Sequence, residues 1–288
     1  MRFAVTFLLW LGTTVALPVA VPAVWAQLTI VGEDGWTALA EKAAADPALQ
    51  SAAAAELATR ATALIAAHGG GRYPVDGAQL HDVAGAFTAG PSFPPLFAQA
   101  NREAHRWLFS APQSGQNGNQ WVIDLAPMLN DASFQQILST YRVQAPATLT
   151  VPLTVSIPST GQSVRQGQLN RVATWGPWVS SGAVALSGLC GLLTVAVARR
   201  RGKALASVGI SALLVGAAGW AGIEVGGRYV DDALNTTTGD IRQIADVMVR
   251  HAEAGMHQWL NLTLAAGAAL AGFGVLVAMA GSVRRPSA

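Results

Sequence analysis

Charge is what this sequence has least of. Only 12% of its 288 residues are Asp, Glu, Lys or Arg, about half the roughly 25% of an ordinary soluble domain. Such a chain cannot wet a globule of its size, and 51% hydrophobic residues exceed what a core alone would hold. A mean hydropathy of +0.36 agrees. Intrinsic disorder is excluded, because disordered chains are polar and charge-rich. One cysteine, Cys190, excludes a disulfide scaffold. A net charge of +2 is too small to argue for a nucleic-acid partner.

Chemical signatures are equally scarce. There is no Gly-x-Ser-x-Gly elbow, no phosphate loop and no Cys-x-x-Cys pair. Gly69-Gly70-Gly71 precedes Arg72-Tyr73-Pro74 and reads as a helix terminator. His251 and His257 stand six apart, about 240° around a helix, so they share no face for a metal. His105, within Arg102-Glu103-Ala104-His105-Arg106, is expected on a solvated strip. An enzyme would need it in one cleft with Glu103, Asp82 or Asp124. The paired acids Glu33-Asp34 and Asp231-Asp232 read as solvated or capping groups. These absences predict no cofactor, no metal and no catalytic centre.

What is present is apolar length. Four stretches, 1–26, 175–198, 204–226 and 259–283, each reach the roughly 20 residues that cross a bilayer as a helix. The expected fold class is therefore mainly α: four membrane crossings and a mostly helical exported domain with a minor two-stranded β element. Arg2, the loop 199–203 with Arg199, Arg200, Arg201 and Lys203, and Arg284 and Arg285 in the tail 284–288 have no acid among them. The positive-inside rule then puts both termini and that loop in the cytoplasm of a plasma-membrane protein, with 27–174 and 227–258 exported. The same four cations invite a second reading as a site for anionic lipid headgroups. The first stretch also has two readings. Its length favours an uncleaved anchor, whereas Val24-Trp25-Ala26 resembles a signal-peptide cleavage site.

The exported segment 27–174 has ordinary composition. Asp46-Pro47 predicts a helix start, with Asp as cap and proline at the first position, running to Ala67. Further helices are expected over Trp36–Ala45, Ala78–Ala89, Pro95–Phe109 and, capped by Asn130 or Asp131, Ala132–Tyr141. Gln120–Leu125 and Thr148–Ile157 read as strands. Residues 159–174 read as a polar tether. In 227–258, Asp240 is expected to start a helix whose stripe Ile241, Ile244, Ala245, Met248, Ala252 and Met256 seeks a partner in 27–174, and which runs on into the fourth crossing. Glu224 and Arg228 are spaced for a helical ion pair.

Inside the crossings, small residues recur. Gly222 and Gly226 form a Gly-xxx-Gly pair, and Gly267 and Gly272 are its expected counterparts in helix packing. No acid or base lies at mid-membrane depth to suggest an ion path.

Glu33-Asp34-Gly35-Trp36, Ala45-Asp46-Pro47-Ala48-Leu49-Gln50 and Val122-Ile123-Asp124-Leu125-Ala126-Pro127 resemble passages of multi-pass envelope proteins of high-GC Gram-positive bacteria. That resemblance implies an N-terminal crossing, a helical exported domain and further crossings, and no activity. The expected function is that of a non-enzymatic membrane protein. Its exported domain is an interaction or scaffold module, and its partners are the lipid bilayer and another membrane or envelope protein. An accessory subunit or small transporter for a lipid-like substrate is the alternative, and an exported enzyme the remote one.

Overall fold

A computed structural model describes residues 2–69, 77–111, 121–124, 130–140, 150–153, 156–157, 162–163, 165–235, 237 and 239–283. The expected turn at 115–119 and the tail 284–288 lie outside them. The described chain is dominated by nine α-helices: α1 Arg2–Ala26, α2 Glu33–Ala44, α3 Pro47–Gly69, α4 Gly77–Thr88, α5 Phe93–Phe109, α6 Ala132–Thr140, α7 Asn170–Val197, α8 Arg201–Leu234 and α9 Gly239–Val283. A π-helical turn, Gln27–Val31, follows α1. Trp121–Asp124 (β1) pairs antiparallel with Thr150–Leu153 (β2), Trp121 opposite Leu153. A second ladder joins Ser156–Ile157 (β3) to Gln162–Ser163 (β4).

Among the described residues four helices are long and apolar enough to cross a membrane, and the protein is a multi-pass membrane protein by that measure. The helices outrun the apolar stretches that announce them. Helix α7 begins at Asn170 rather than at 175, α8 continues to Leu234, and α9 is unbroken for 45 residues. The backbone hydrogen-bond ladder does not end where side-chain polarity changes, so a crossing helix extends into water until a breaker stops it. Between α8 and α9 that breaker is the turn after Leu234, closed by Thr237 N–H donating to the Leu234 carbonyl, with Gly239 at φ +58°.

The chain divides into two compact units. The bundle unit comprises Met1–Ile30, Thr174–Tyr229 and Glu253–Ala288. The helical unit comprises Val31–Ala173 and Val230–Ala252.

In the helical unit, α2 packs on α5 and α3 on α4. Alanines make the close contacts: Ala40, Ala43 and Ala44 are fully buried, as is Leu49. Rings fill the gap among α4, α5 and α6, where Phe87 meets Phe134 edge-on at 4.9 Å and Phe93 at 5.8 Å. The two strongest helix starts behave as their residue types dictate. Asp46 Oδ1 accepts from Ala48 N–H at 2.9 Å, and Asp131 Oδ1 from Phe134 N–H at 3.0 Å. The residues expected as a free tether are partly docked: Gly167 and Leu169 donate to the carbonyls of Trp107 and Leu108 at the end of α5. In the first part of α9, Val247 and Met248 are buried while Ile241 is exposed, so the covered stripe begins later than its sequence pattern suggests. Arg250 reaches Asp46 at 4.0 Å.

Candidate functional site: the membrane bundle and its two ends

Pairs of contacts give the helix directions in the bundle. Trp10 meets Ser207 and Thr14 meets Ser211, so α1 and α8 run parallel. Gly12 lies against Cys190 and Gln27 against Gly176, so α1 and α7 are antiparallel. Gly202 faces Gly274 and Ala278, whereas Gly216 faces Leu264 and Leu260, so α8 and α9 are antiparallel. The start of α1, the α7–α8 turn and the end of α9 therefore share one end of the bundle.

The α8–α9 seam is built from glycines seven residues apart. A methyl group at Gly202 would sit 2.7 Å from the Gly274 carbonyl oxygen, and one at Gly209 would sit 2.7 Å from that of Gly267. Backbone touches backbone there, the close approach that only glycine allows. At Gly216 and Gly219 the facing atoms are instead the side chains of Leu264 and Leu260. Gly267 is thus in the seam. Gly222, Gly226 and Gly272 are not: a Cβ at any of them meets nothing within 4 Å. The four-residue motif misleads because the contact follows a seven-residue repeat, which keeps small residues on one seam of two coiling helices. The repeat Gly202, Gly209, Gly216 was the signal that could have found it.

Hydroxyl groups join α1 to α8. Thr14 Oγ1 and Ser211 Oγ lie 2.8 Å apart, and Trp10 Nε1 donates to the Ser207 carbonyl at 3.3 Å. Thr13, Ser211 and Thr194 are almost wholly buried, and each bonds back to the carbonyl four residues earlier. Cys190 packs with its sulfur 3.4 Å from where a Gly12 Cβ would lie. At the π-helical turn, Gln27 Oε1 is buried against Gly176 and has no hydrogen-bond partner among the described residues.

The two bundle ends differ chemically. Arg199, Arg200, Arg201 and Lys203 are all exposed on the α7–α8 turn. At the other end gather Trp25, Trp175, Trp178, Trp220 and Trp259, five of the nine tryptophans. There Trp220 stacks on His257 at 4.0 Å and donates to Asn261 Oδ1 at 3.2 Å. From Arg201 to Trp220 is about 29 Å at 1.5 Å per residue, close to the roughly 30 Å of a hydrocarbon core. Glu224 and Arg228 form no ion pair among the described residues, although their spacing allows one.

The helical unit carries one dense ionic cluster. Glu33 of α2 takes two bonds from Arg106 of α5, at 3.0 and 2.7 Å. Arg102 approaches Glu33 and Asp34 at 3.5 Å and donates to Thr37 Oγ1 at 3.3 Å. The Arg106 hydrogen bond, opposed by slight burial and helped by the charges of Arg106 and Arg102, holds the Glu33 carboxyl below the usual carboxylate range. The guanidinium of Arg106 is in turn pushed up by Glu33.

His105 corrects the sequence reading. It is buried, stacked on Phe109 at 4.2 Å and tilted toward Trp36 at 6.3 Å. The inward face of α5 runs through Ala98 and His105 because α2 offers it a tryptophan and a threonine, and the imidazole packs there as a ring. Glu103 pairs outward with Arg106, and Asp82 is exposed. The side chain of Asp124 lies outside the described residues. No group of three metal-ligating side chains occurs among the described residues.

Comparison with known proteins finds no matching family model, no similar curated protein and no similar solved structure.

Proposed function

We propose that this chain is a non-enzymatic membrane anchor and scaffold, whose helical unit is exported and engages another protein of the cell envelope. The observation that carries this reading is the fate of the polar groups buried or half-buried in the bundle. Thr13, Thr14, Trp10, Ser207 and Ser211 spend their hydrogen bonds within and between helices. They glue helices together rather than line a path, which supports an anchor over a transporter. The same contacts support retention of α1. Removing it would strip Ser211 of its cross-helix partner and bare Gly191 and Cys190.

In this reading the bilayer lies between the basic turn and the tryptophan belt. The positive turn faces the cytoplasm, and residues 27–174 and 227–258 are outside. The resemblance to envelope proteins of high-GC Gram-positive bacteria supports the same layout.

Single cysteines at Glu41 and at Arg200, in a Cys190→Ala chain, test the orientation. An impermeant thiol reagent on intact cells should label position 41 and spare position 200, and the reverse pattern would overturn it. A photo-cross-linker at Glu41, exposed on α2, should give one discrete protein adduct in native membranes. Only lipid adducts or none would sink the scaffold reading. Intact mass of the purified protein should include residues 1–26.

A further inference from the structure

The α7–α8 turn packs four cations into five positions, and the fifth, Gly202, is buried against the α9 backbone at Gly274 and Ala278. Pinning the turn through its one glycine leaves Arg199, Arg200, Arg201 and Lys203 no inward direction. All four are exposed, and none is in an ion pair among the described residues. Apolar strips lead up to them on both helices. On α7, Leu186, Leu189 and Leu193 share a face at 54%, 59% and 40% exposure. On α8, Ile210 and Leu214, two and three turns beyond Lys203 on its face, are 50% and 58% exposed. Each strip lies on a helix long enough to cross a membrane, and the cations stand at the same end of both helices. That is the complement of a molecule with acyl chains and a phosphate.

From this juxtaposition we propose that the turn is a binding site for an anionic phospholipid. Its phosphate is held by Arg199, Arg200, Arg201 and Lys203, and its chains lie along the exposed leucines and isoleucine. The inference rests on the bilayer position of α7 and α8 and is independent of what the helical unit engages.

The test uses the full chain purified in a neutral detergent. Phosphatidylglycerol, phosphatidylcholine and inorganic phosphate are each titrated, with native mass spectrometry for adducts and the thermal unfolding midpoint as readouts. Phosphatidylglycerol should remain bound and raise the midpoint, and phosphatidylcholine and free phosphate should do neither. An Arg200→Gln/Arg201→Gln variant should retain phosphatidylglycerol about thirty-fold less well, since each cation near an anionic headgroup contributes about a five-fold gain. Its lipid-free midpoint should be unchanged. Equal retention of phosphatidylcholine by the native chain overturns the proposal whether or not the variant folds. So does a midpoint rise with inorganic phosphate that matches the lipid's, or native-level lipid retention by a folded variant.

Discussion

Helices α8 and α9 meet with hydrogen atoms between their backbones, whereas α2 and α5 meet through rings and guanidinium groups. At Gly202 and Gly209 an added methyl would lie within 3 Å of the opposite main chain. At the α2–α5 contact, Trp36, His105 and Phe109 fill the space and Arg102 and Arg106 bridge to Glu33. The contrast follows from the solvent. Lipid tails are as apolar as leucine, so burying leucine against leucine gains nothing there, and close packing with weak polar contacts must hold the helices. In water, burial of a ring is itself favourable and exposed ion pairs add a little.

The sharpest way to break this comparison is to place a side chain in the seam. Gly209→Ala should destabilise the bundle by about 3 kcal/mol or more, because the new methyl meets main-chain atoms of Ala271 and Gly267 that cannot swing aside. Gly272→Ala, where a Cβ meets nothing, should be neutral or stabilising by up to about 1 kcal/mol. Thermal unfolding in one detergent distinguishes the two, and equal losses would mean the seam is not where the structure puts it. A smaller effect is expected from the hydroxyl pair. A double-mutant cycle with Thr14→Val and Ser211→Ala should return a coupling of about 0.6 kcal/mol, typical for one bond inside a membrane. No coupling would say that α1 is a passive neighbour of α8.

The smallest effect tests the helical unit. Glu33 is held below its ordinary pKa in the folded chain, so the stability it contributes is present above the unfolded carboxyl value of about 4.3. That contribution is lost as pH falls through the lower folded value. Glu33→Gln should flatten the acid side of a stability-against-pH curve and leave the bundle's melting unmoved. A steeper acid limb would contradict the assigned pairing.

Much of this architecture is legible in the sequence. Four apolar stretches announced the crossings, and Asp46-Pro47 and Asp131 marked helix starts that their side chains do cap. The site was less legible. Gly222 and Gly226 stand out as a motif, yet which face of a helix touches its neighbour depends on the neighbour, and α9 answers the glycines at 202, 209, 216 and 219, and the one at 227 through Glu253. His105 was misplaced for the same reason. Its charged flanks suggest solvent, but one of the two rings beside it, Trp36, belongs to α2 and is invisible in the α5 sequence; only Phe109, one turn on, stands there. A helix start is hidden where polarity changes without a breaker, as at Asn170.

The leucines at the far end of the seam have a mechanical consequence. Backbone contact at Gly202 and Gly209 leaves no room for a side chain beside the basic turn, whereas at Gly216 and Gly219 the side chains of Leu264 and Leu260 lie against the glycines. The pair is therefore least tolerant of added bulk under the arginines, where only main-chain atoms could give way, and more forgiving toward Trp220, where a flexible leucine can turn aside.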